Sequence, residues 1–413
     1  MKIILTTGVG RLHFCEVNLA LKTLGVERRM ICGWLPSESQ RTLLTLIGHL
    51  CGRKDIYERL DVRLMKGALT REDFFPMALP EFIAGVLAHI APYLPISPDR
   101  VNTMAWKNFG RASKAYLQDA DIFHVRSGAG QGGAIDFARQ RGMKIIVDHS
   151  IAHPAYMHDV IGNEYQAFDV VNRLSHTSFF WKQVLRDCDQ ADLLLVNSDF
   201  VKRSFVEQGY PAEKIRVEYL GIPDYFYGAK TDWARVNPDR LELLYTGGFV
   251  LRKGIRSLFE ALDHLRARGV KFRLTVAGDS SEAKRFFAAE LAHPDIDLKG
   301  FIPRESLKGL IEQSDMYVFP TLSEGCAQSA MEALGAGLPV ITTPACGLPG
   351  VPSQDYELIQ ANDPVALADG IEKLDADELL RDRYGKAGTK LLREKFTWDS
   401  YAQRLNRIYR SLI

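Results

Sequence analysis

Short apolar runs with little polar alternation recur along this chain, each followed by a stretch whose apolar positions return at helical spacing. The runs predict strands at Lys2–Thr6, Asp121–Val125, Lys144–Asp148, Asp192–Asn197, Lys214–Tyr219, Leu241–Thr246, Phe272–Ala277, Asp315–Phe319 and Pro339–Thr343. They are rich in Ile, Val and Leu, as suits parallel strands covered by helices on both faces. Strand and helix alternating in this way predict a doubly wound α/β architecture. The series also restarts. After Gly221-Ile222-Pro223 comes a polar, aromatic and proline-containing stretch to Arg240, and Leu241 opens a second set of strands. Two Rossmann-like domains are expected, residues 1–222 and 223–397, facing a cleft at the carboxyl ends of their strands.

Residues 34–118 interrupt the rhythm with a long, mainly helical insertion. It contains Leu43, Leu44, Leu46, Ile47 and Leu50, then Phe82 to Leu94 with prolines nearby. The plain reading is a helical elaboration buried against the first sheet. A sharper reading makes residues 28–60 a peripheral contact with a membrane surface or a lipid-linked acceptor. Arg28, Arg29, Arg41, Arg53 and Lys54 would then lie near anionic headgroups.

Composition narrows the class. The chain has 413 residues, 46% hydrophobic and 25% charged, ordinary for a soluble globular protein of two or three domains. A net charge of +1 supplies no global field toward nucleic acid. The six cysteines (15, 32, 51, 188, 326 and 346) form no Cys-x-x-Cys pair, which fits a reducing compartment better than a zinc site or disulfide framework. Met1-Lys2 leads into an apolar run too short for a signal peptide, and no run approaches a spanning helix. A cytoplasmic enzyme, free or peripheral on the membrane's cytoplasmic face, is the expected class.

The most informative chemistry lies between Asp315 and Val340. A buried-type strand there ends in a loop carrying Glu324 and Gly325, and a helix of small residues opens near Cys326 and carries Glu332. A helix start offers unpaired N–H groups and a partial positive charge to a phosphate. Carboxylates instead accept hydrogen bonds from sugar hydroxyls. A phosphate seat between two such acceptors suggests a nucleotide-sugar site. Upstream, Leu243 to Gly254 reads LLYTGGFVLRKG, two glycines and then Arg252 and Lys253 at the mouth of a helix, where the cations could clamp a diphosphate.

Glu324 and Glu332, with seven residues between them, resemble the E-x7-E signature of retaining glycosyltransferases of the GT-B fold, glycosyltransferase family 4 in particular. Lys253-Gly254 resembles the end of that family's G-R-x-x-x-x-K-G loop, although Gly248 stands where its arginine is usual and Arg252 would supply the charge from the other end. The resemblance implies that Glu332 holds the ribose hydroxyls and that Glu324 and Gly325 lie at the sugar ring. Backbone N–H groups around Ala327, Gln328 and Ser329 would take the distal phosphate. Loops at Val276–Asp279 and Gly300–Pro303 would line the nucleobase pocket, leaving UDP- and GDP-sugars both open. On the acceptor side it implies roles for Gly8 and Gly10 at the donor phosphates and for His149, with His153 second, at the donor sugar or acceptor. Residues 398–413 would form a last helix crossing back to the first domain.

The implied reaction moves a glycosyl group to a hydroxyl of a sugar, glycan or lipid-linked acceptor with retention, by front-face substitution. The leaving phosphate oxygen would take the acceptor proton. Loops at the expected site carry no Asp-x-Asp motif, so no metal and no cofactor beyond the donor substrate are expected. Two other readings compete. Gly128-Ala-Gly130-Gln-Gly132-Gly133 contains a G-x-G-x-x-G with Asp148 about twenty residues on, the fingerprint of an NAD-dependent oxidoreductase. A GT-B protein that binds sugar nucleotides without turnover is the third.

Overall fold

The computed structural model describes residues 1–8, 13–37, 39–40, 42, 65–90, 93, 96–170 and 177–413. The first sheet has seven strands: β1 (Lys2–Thr6), β2 (Glu27–Cys32), β3 (Phe74–Pro76), β4 (Ile122–Arg126), β5 (Lys144–His149), β6 (Leu193–Val196) and β7 (Ile215–Val217), in the order β3-β2-β1-β4-β5-β6-β7. The second has six: β8 (Leu241–Thr246), β9 (Phe272–Ala277), β10 (Ile296–Gly300), β11 (Met316–Phe319), β12 (Val340–Thr342) and β13 (Glu357–Leu358), in the order β10-β9-β8-β11-β12-β13. The pairings are parallel throughout; Leu5 of β1, for example, lies between Met30 of β2 and His124 of β4. Two doubly wound Rossmann-like domains therefore face each other, the GT-B arrangement. Each sheet reverses its winding once, between β1 and β4 and between β8 and β11. Ligands of such sheets sit at these switch points.

Strand alternation separates the two faces of the first sheet. Ile145 and Val147 join one apolar cluster with Phe205, while Ile146 joins another with Phe14, Tyr401, Leu405 and Tyr409. The last three belong to the helix Trp398–Leu412, which packs on the helix Phe14–Thr23. The terminal helix thus completes the core of the first domain. Just before it the chain recrosses beside its first crossing: Ile222 N–H donates to Phe396 O at 3.3 Å.

The insertion is not purely helical. Within its described part, Phe74–Pro76 adds β3 to the sheet edge before the helices Ala78–Ile90 and Pro98–Ser113. Proline and a run of only three residues gave β3 no recognisable period. Arg28 does not face outward as a membrane contact would require: its Nη2 lies 2.6 Å from buried Asp73, and Arg29 donates to Glu72 O. Gly10, Arg41, Leu43, Leu44, Leu46, Ile47, Leu50, Arg53 and Lys54 lie outside the described residues. Among the described residues no helix is long and apolar enough to cross a membrane.

Between the domains, Arg256 clamps Glu164 through both carboxylate oxygens, at 2.7 and 3.0 Å, with Glu164 only 1% exposed. A bidentate pair of this kind fixes orientation as well as separation.

Candidate active site in the interdomain cleft

The loops after β8 and β11, the two strands at the second switch point, bring the donor-side residues together. Gly254 makes this possible, because it takes φ +73° where an added Cβ would stand 1.9 Å from Pro320 O. The two loops are stitched by Leu322 N–H donating to Arg252 O at 3.0 Å. Arg252 Nη1 then lies 2.8 Å from Glu324 Oε1 and Lys253 Nζ 3.6 Å from the same oxygen, contacts that are ionic in geometry rather than closed hydrogen bonds. Lys253 also sits over the Phe319 ring, 5.1 Å from its centroid, and burial lowers its pKa from the usual lysine value against the pull of Glu324. Gly248 contributes its carbonyl to the Tyr245 hydroxyl at 2.9 Å.

The helix begins two residues later than expected, at Gln328–Ala336. Ala327 N–H is committed to Cys346 O at 3.1 Å, so it is not a phosphate donor in this arrangement. Among the described residues nothing accepts from the N–H groups of Gln328 and Ser329, the first two helical positions. Ser329 Oγ is met by the Tyr317 hydroxyl at 2.9 Å.

Glu332 is buried one turn into the same helix, and burial raises its carboxyl above the usual range, opposed by Arg304. Arg304 Nε lies 2.8 Å from Glu332 Oε1 and Nη2 donates to the same oxygen, leaving Oε2 for another donor. Arg304 was not singled out from sequence. The signal was close: it directly follows the Gly300–Pro303 loop. Its Nη1 also lies 4.0 Å from Glu16 of the helix Phe14–Thr23, so the chain Glu332–Arg304–Glu16 spans the cleft.

First-domain strand ends close on the opposite side. An added Cβ at Gly325 would be 2.0 Å from Ser150 O and 2.7 Å from the Asn197 side chain, so only glycine fits there. Ser198 Oγ donates to Gly325 O, and the Tyr156 hydroxyl to Leu322 O at 3.4 Å. Gly8, two residues past β1, takes φ +70° where an added Cβ would stand 2.8 Å from Trp106 and 2.9 Å from Ala129.

His149 is not brought to this cluster. It is 1% exposed, Nδ1 bonded to Ser127 Oγ at 2.8 Å, with its ring against Phe205. Burial lowers its pKa to about 4, so the ring is neutral. His153 caps its own helix through Nδ1 and Ala155 N–H at 3.1 Å. Asp148, one residue back, points to the other face of the sheet. There Oδ2 lies 3.2 Å from His13 Nε2 and 3.7 Å from His124 Nε2, while Oδ1 accepts from Ser150 Oγ at 2.7 Å.

The glycine-rich loop after β4 is filled from within. Asp187 Oδ2 accepts the N–H groups of Gly128 and Gly130 at 2.7 and 2.9 Å, and Gln131 Nε2 donates to Oδ1. A carboxylate therefore occupies the amides that a pyrophosphate would need, and Asp148 is spent on two histidines.

Residues 232–391 match the family described as glycosyl transferases group 1. WcaL of Escherichia coli, named as a colanic acid biosynthesis glycosyltransferase, is 28% identical over 269 residues, 61% of this chain and 64% of WcaL. AmsK of Erwinia amylovora, an amylovoran biosynthesis glycosyltransferase, is 31% identical over 183 residues, 42% of each chain. The chain thus spans just under two thirds of the length of WcaL. Among solved structures, sucrose-phosphate synthase of Thermosynechococcus elongatus superposes with a TM-score of 0.72 at 17% identity, covering 100% of this chain and 99% of that one. Anabaena HepE in complex with UDP gives 0.64 at 13% identity, covering 100% of both chains. Likeness at these identities shows the fold.

Proposed function

We propose, on the premise that residues 232–391 are a group 1 glycosyl transferase domain, that the chain transfers a sugar from a UDP- or GDP-sugar to a hydroxyl of a sugar, glycan or lipid-linked acceptor in polysaccharide biosynthesis. The observation that carries this reading is the cluster at the second switch point: Arg252 and Lys253 on Glu324, the open N–H groups of Gln328 and Ser329, and Glu332 within one helix. The cations and the helix start would take the diphosphate, Glu332 Oε2 a ribose hydroxyl, and Glu324 the sugar. The solved HepE complex with UDP supports a uridine nucleotide as the first donor to try.

Catalysis on this reading is mainly electrostatic. Preorganised cations and backbone donors stabilise the departing diphosphate as the bond to the anomeric carbon breaks. Retention of configuration and independence of added metal are part of the proposal. Arg252 and Lys253 would supply the charge that a divalent ion supplies elsewhere, so rates measured with EDTA should equal those without it. A cytoplasmic location, with any membrane contact peripheral, accompanies the reading.

Calorimetric binding of UDP-, GDP- and ADP-sugars and of NAD to wild type and Glu332→Ala tests the whole. One sugar nucleotide binding to wild type and lost in the variant is expected. Binding of NAD alone would move the site to Gly128–Gly133 and overturn the reading, although Asp187 stands against that outcome.

A further inference from the structure

Arg126 ends β4, one of the two strands at the first switch point, and pairs in register with Asp148 of β5. Its guanidinium lies over the face of Trp106, 5.0 Å from the ring centroid. The same ring packs under Gly8, in the loop after β1. Arg126 therefore stands at the carboxyl ends of β1 and β4, where ligands of such a sheet bind. The neighbouring strand end leads to the donor side: Asp148 accepts from Ser150, and Ser150 O abuts Gly325 beside Glu324.

Arg126 differs from other half-buried arginines in its counter-charge. Arg28 is met by Asp73, Arg256 by Glu164 and Arg304 by Glu332. Arg126 has a ring face in place of a carboxylate. Among the described residues no group accepts a hydrogen bond from its guanidinium, and none of its nitrogens is sealed from solvent. Asp148, the carboxylate that acts on it through space, is in contact with His13 and His124 instead. Burial lowers the pKa of Arg126 to about 10 against the pull of Asp148, so the group stays charged at neutral pH. An aromatic face holds a cation without neutralising it. Keeping a half-buried charge without a partner costs folding free energy, and an anion from outside would offset that cost. The guanidinium fork fits a carboxylate or a phosphate through two parallel hydrogen bonds.

We propose that Arg126 is the anion seat of the acceptor site, and that the acceptor is a sugar bearing a carboxylate or a phosphate. The inference rests on the glycosyltransferase reading above and narrows its acceptor class. The donor diphosphate already has Arg252, Lys253 and the open helix start of the second domain, which leaves Arg126, on the first, to the acceptor. Arg126 grips the acceptor's oxyanion and orients the sugar; it takes no part in the exchange of bonds at the anomeric carbon.

The test uses the full chain with UDP or GDP present and titrates glucuronate, glucose 6-phosphate and glucose by calorimetry. In wild type at least one of the two anions should bind about 10-fold or more tighter than glucose, the worth of one charge-assisted pair. Whichever anion binds better tells a carboxylate acceptor from a phosphate one. Arg126→Met, which keeps the packing on Trp106, and Arg126→Gln, which keeps a polar head, should both lose that preference. The affinity of both variants for the nucleoside diphosphate should stay within about twofold of wild type, as for sites without shared contacts. Anions that bind wild type no better than glucose, or a preference intact in both variants, would overturn the anion seat and leave the glycosyltransferase reading standing. A nucleotide affinity that falls about tenfold in both variants would assign Arg126 to the donor and overturn its acceptor role. A wild type that binds neither nucleotide overturns both readings.

Discussion

The two sheets reverse their winding in the same way, between β1 and β4 in one domain and between β8 and β11 in the other, yet use the backbone N–H groups of their loops differently. At the first, the glycine-rich loop after β4 turns its N–H groups onto the carboxyl group of Asp187, an acceptor supplied by the protein itself. At the second, the helix after β11 starts without a side-chain cap, and two cations gather on Glu324 beside it. Glycine spacing is alike enough at both to suggest nucleotide binding. What separates them, among the described residues, is whether an internal carboxyl group already accepts from the backbone N–H groups.

The largest effect should come from removing a cation at the open seat. Lys253→Ala is expected to cost about 10²–10³-fold in transfer rate, the range for one preorganised group facing a developing anion, measured by steady-state release of the nucleoside diphosphate. Unplugging the closed seat comes next. Asp187→Ala leaves two buried N–H groups unpaired and should lower unfolding free energy by about 3 kcal/mol in urea titrations. Added sulfate should then raise the Tm of the variant and not of wild type. A variant indifferent to sulfate would show that the two seats differ in more than the plug.

Third is the surface where the two switch regions touch. Gly325→Ala forces about 2 kcal/mol of overpacking against Ser150 O, which should separate the domains and appear as a larger radius of gyration in small-angle scattering. Last come slopes with pH, each spread over several units and both at buried groups of the first domain. Burial pushes Asp187 up to about 7 in the folded chain, against the three N–H donors it faces. The folded state then binds the extra proton, and Asp187 makes stability fall as pH rises from about 4 to 7. His149, lowered to about 4, acts in the opposite sense: the unfolded chain takes a proton that the buried ring refuses, so stability falls as pH drops from about 6.5 to 4. Asp187→Asn and His149→Gln should each remove one slope, read from Tm against pH.

Legibility from sequence followed coverage. Strands buried on both faces, such as β5, β6, β8, β9 and β11, carry apolar runs that are recognisable alone. Missed strands lack that signature: β2 begins with Glu-Arg-Arg, β10 is half-buried with Asp297 and Lys299, and β3 and β13 span three and two residues. In the cleft, Lys253, Glu324 and Glu332 were legible because they lie on consecutive loop and helix positions with local geometry. Arg304 and Glu16 were not, since each is defined by a partner far along the chain. His149 shows the limit most sharply. One step of strand alternation puts its ring in the apolar layer with Phe205 and sends Asp148 to the face where His13 waits.

The terminal helix has a consequence for the order in which the molecule is made. Tyr401, Leu405 and Tyr409 fill the cluster that also holds Phe14 and Ile146, so the first domain lacks part of its core until residues 398–412 have been synthesised. The second domain, encoded between, holds all of its own strands by Leu358. The second domain's core runs on to Leu392, so the first sheet stays bare along one apolar stripe through the synthesis of the whole second domain. Chaperone protection of this protein should accordingly be needed longest by the half that emerges earliest.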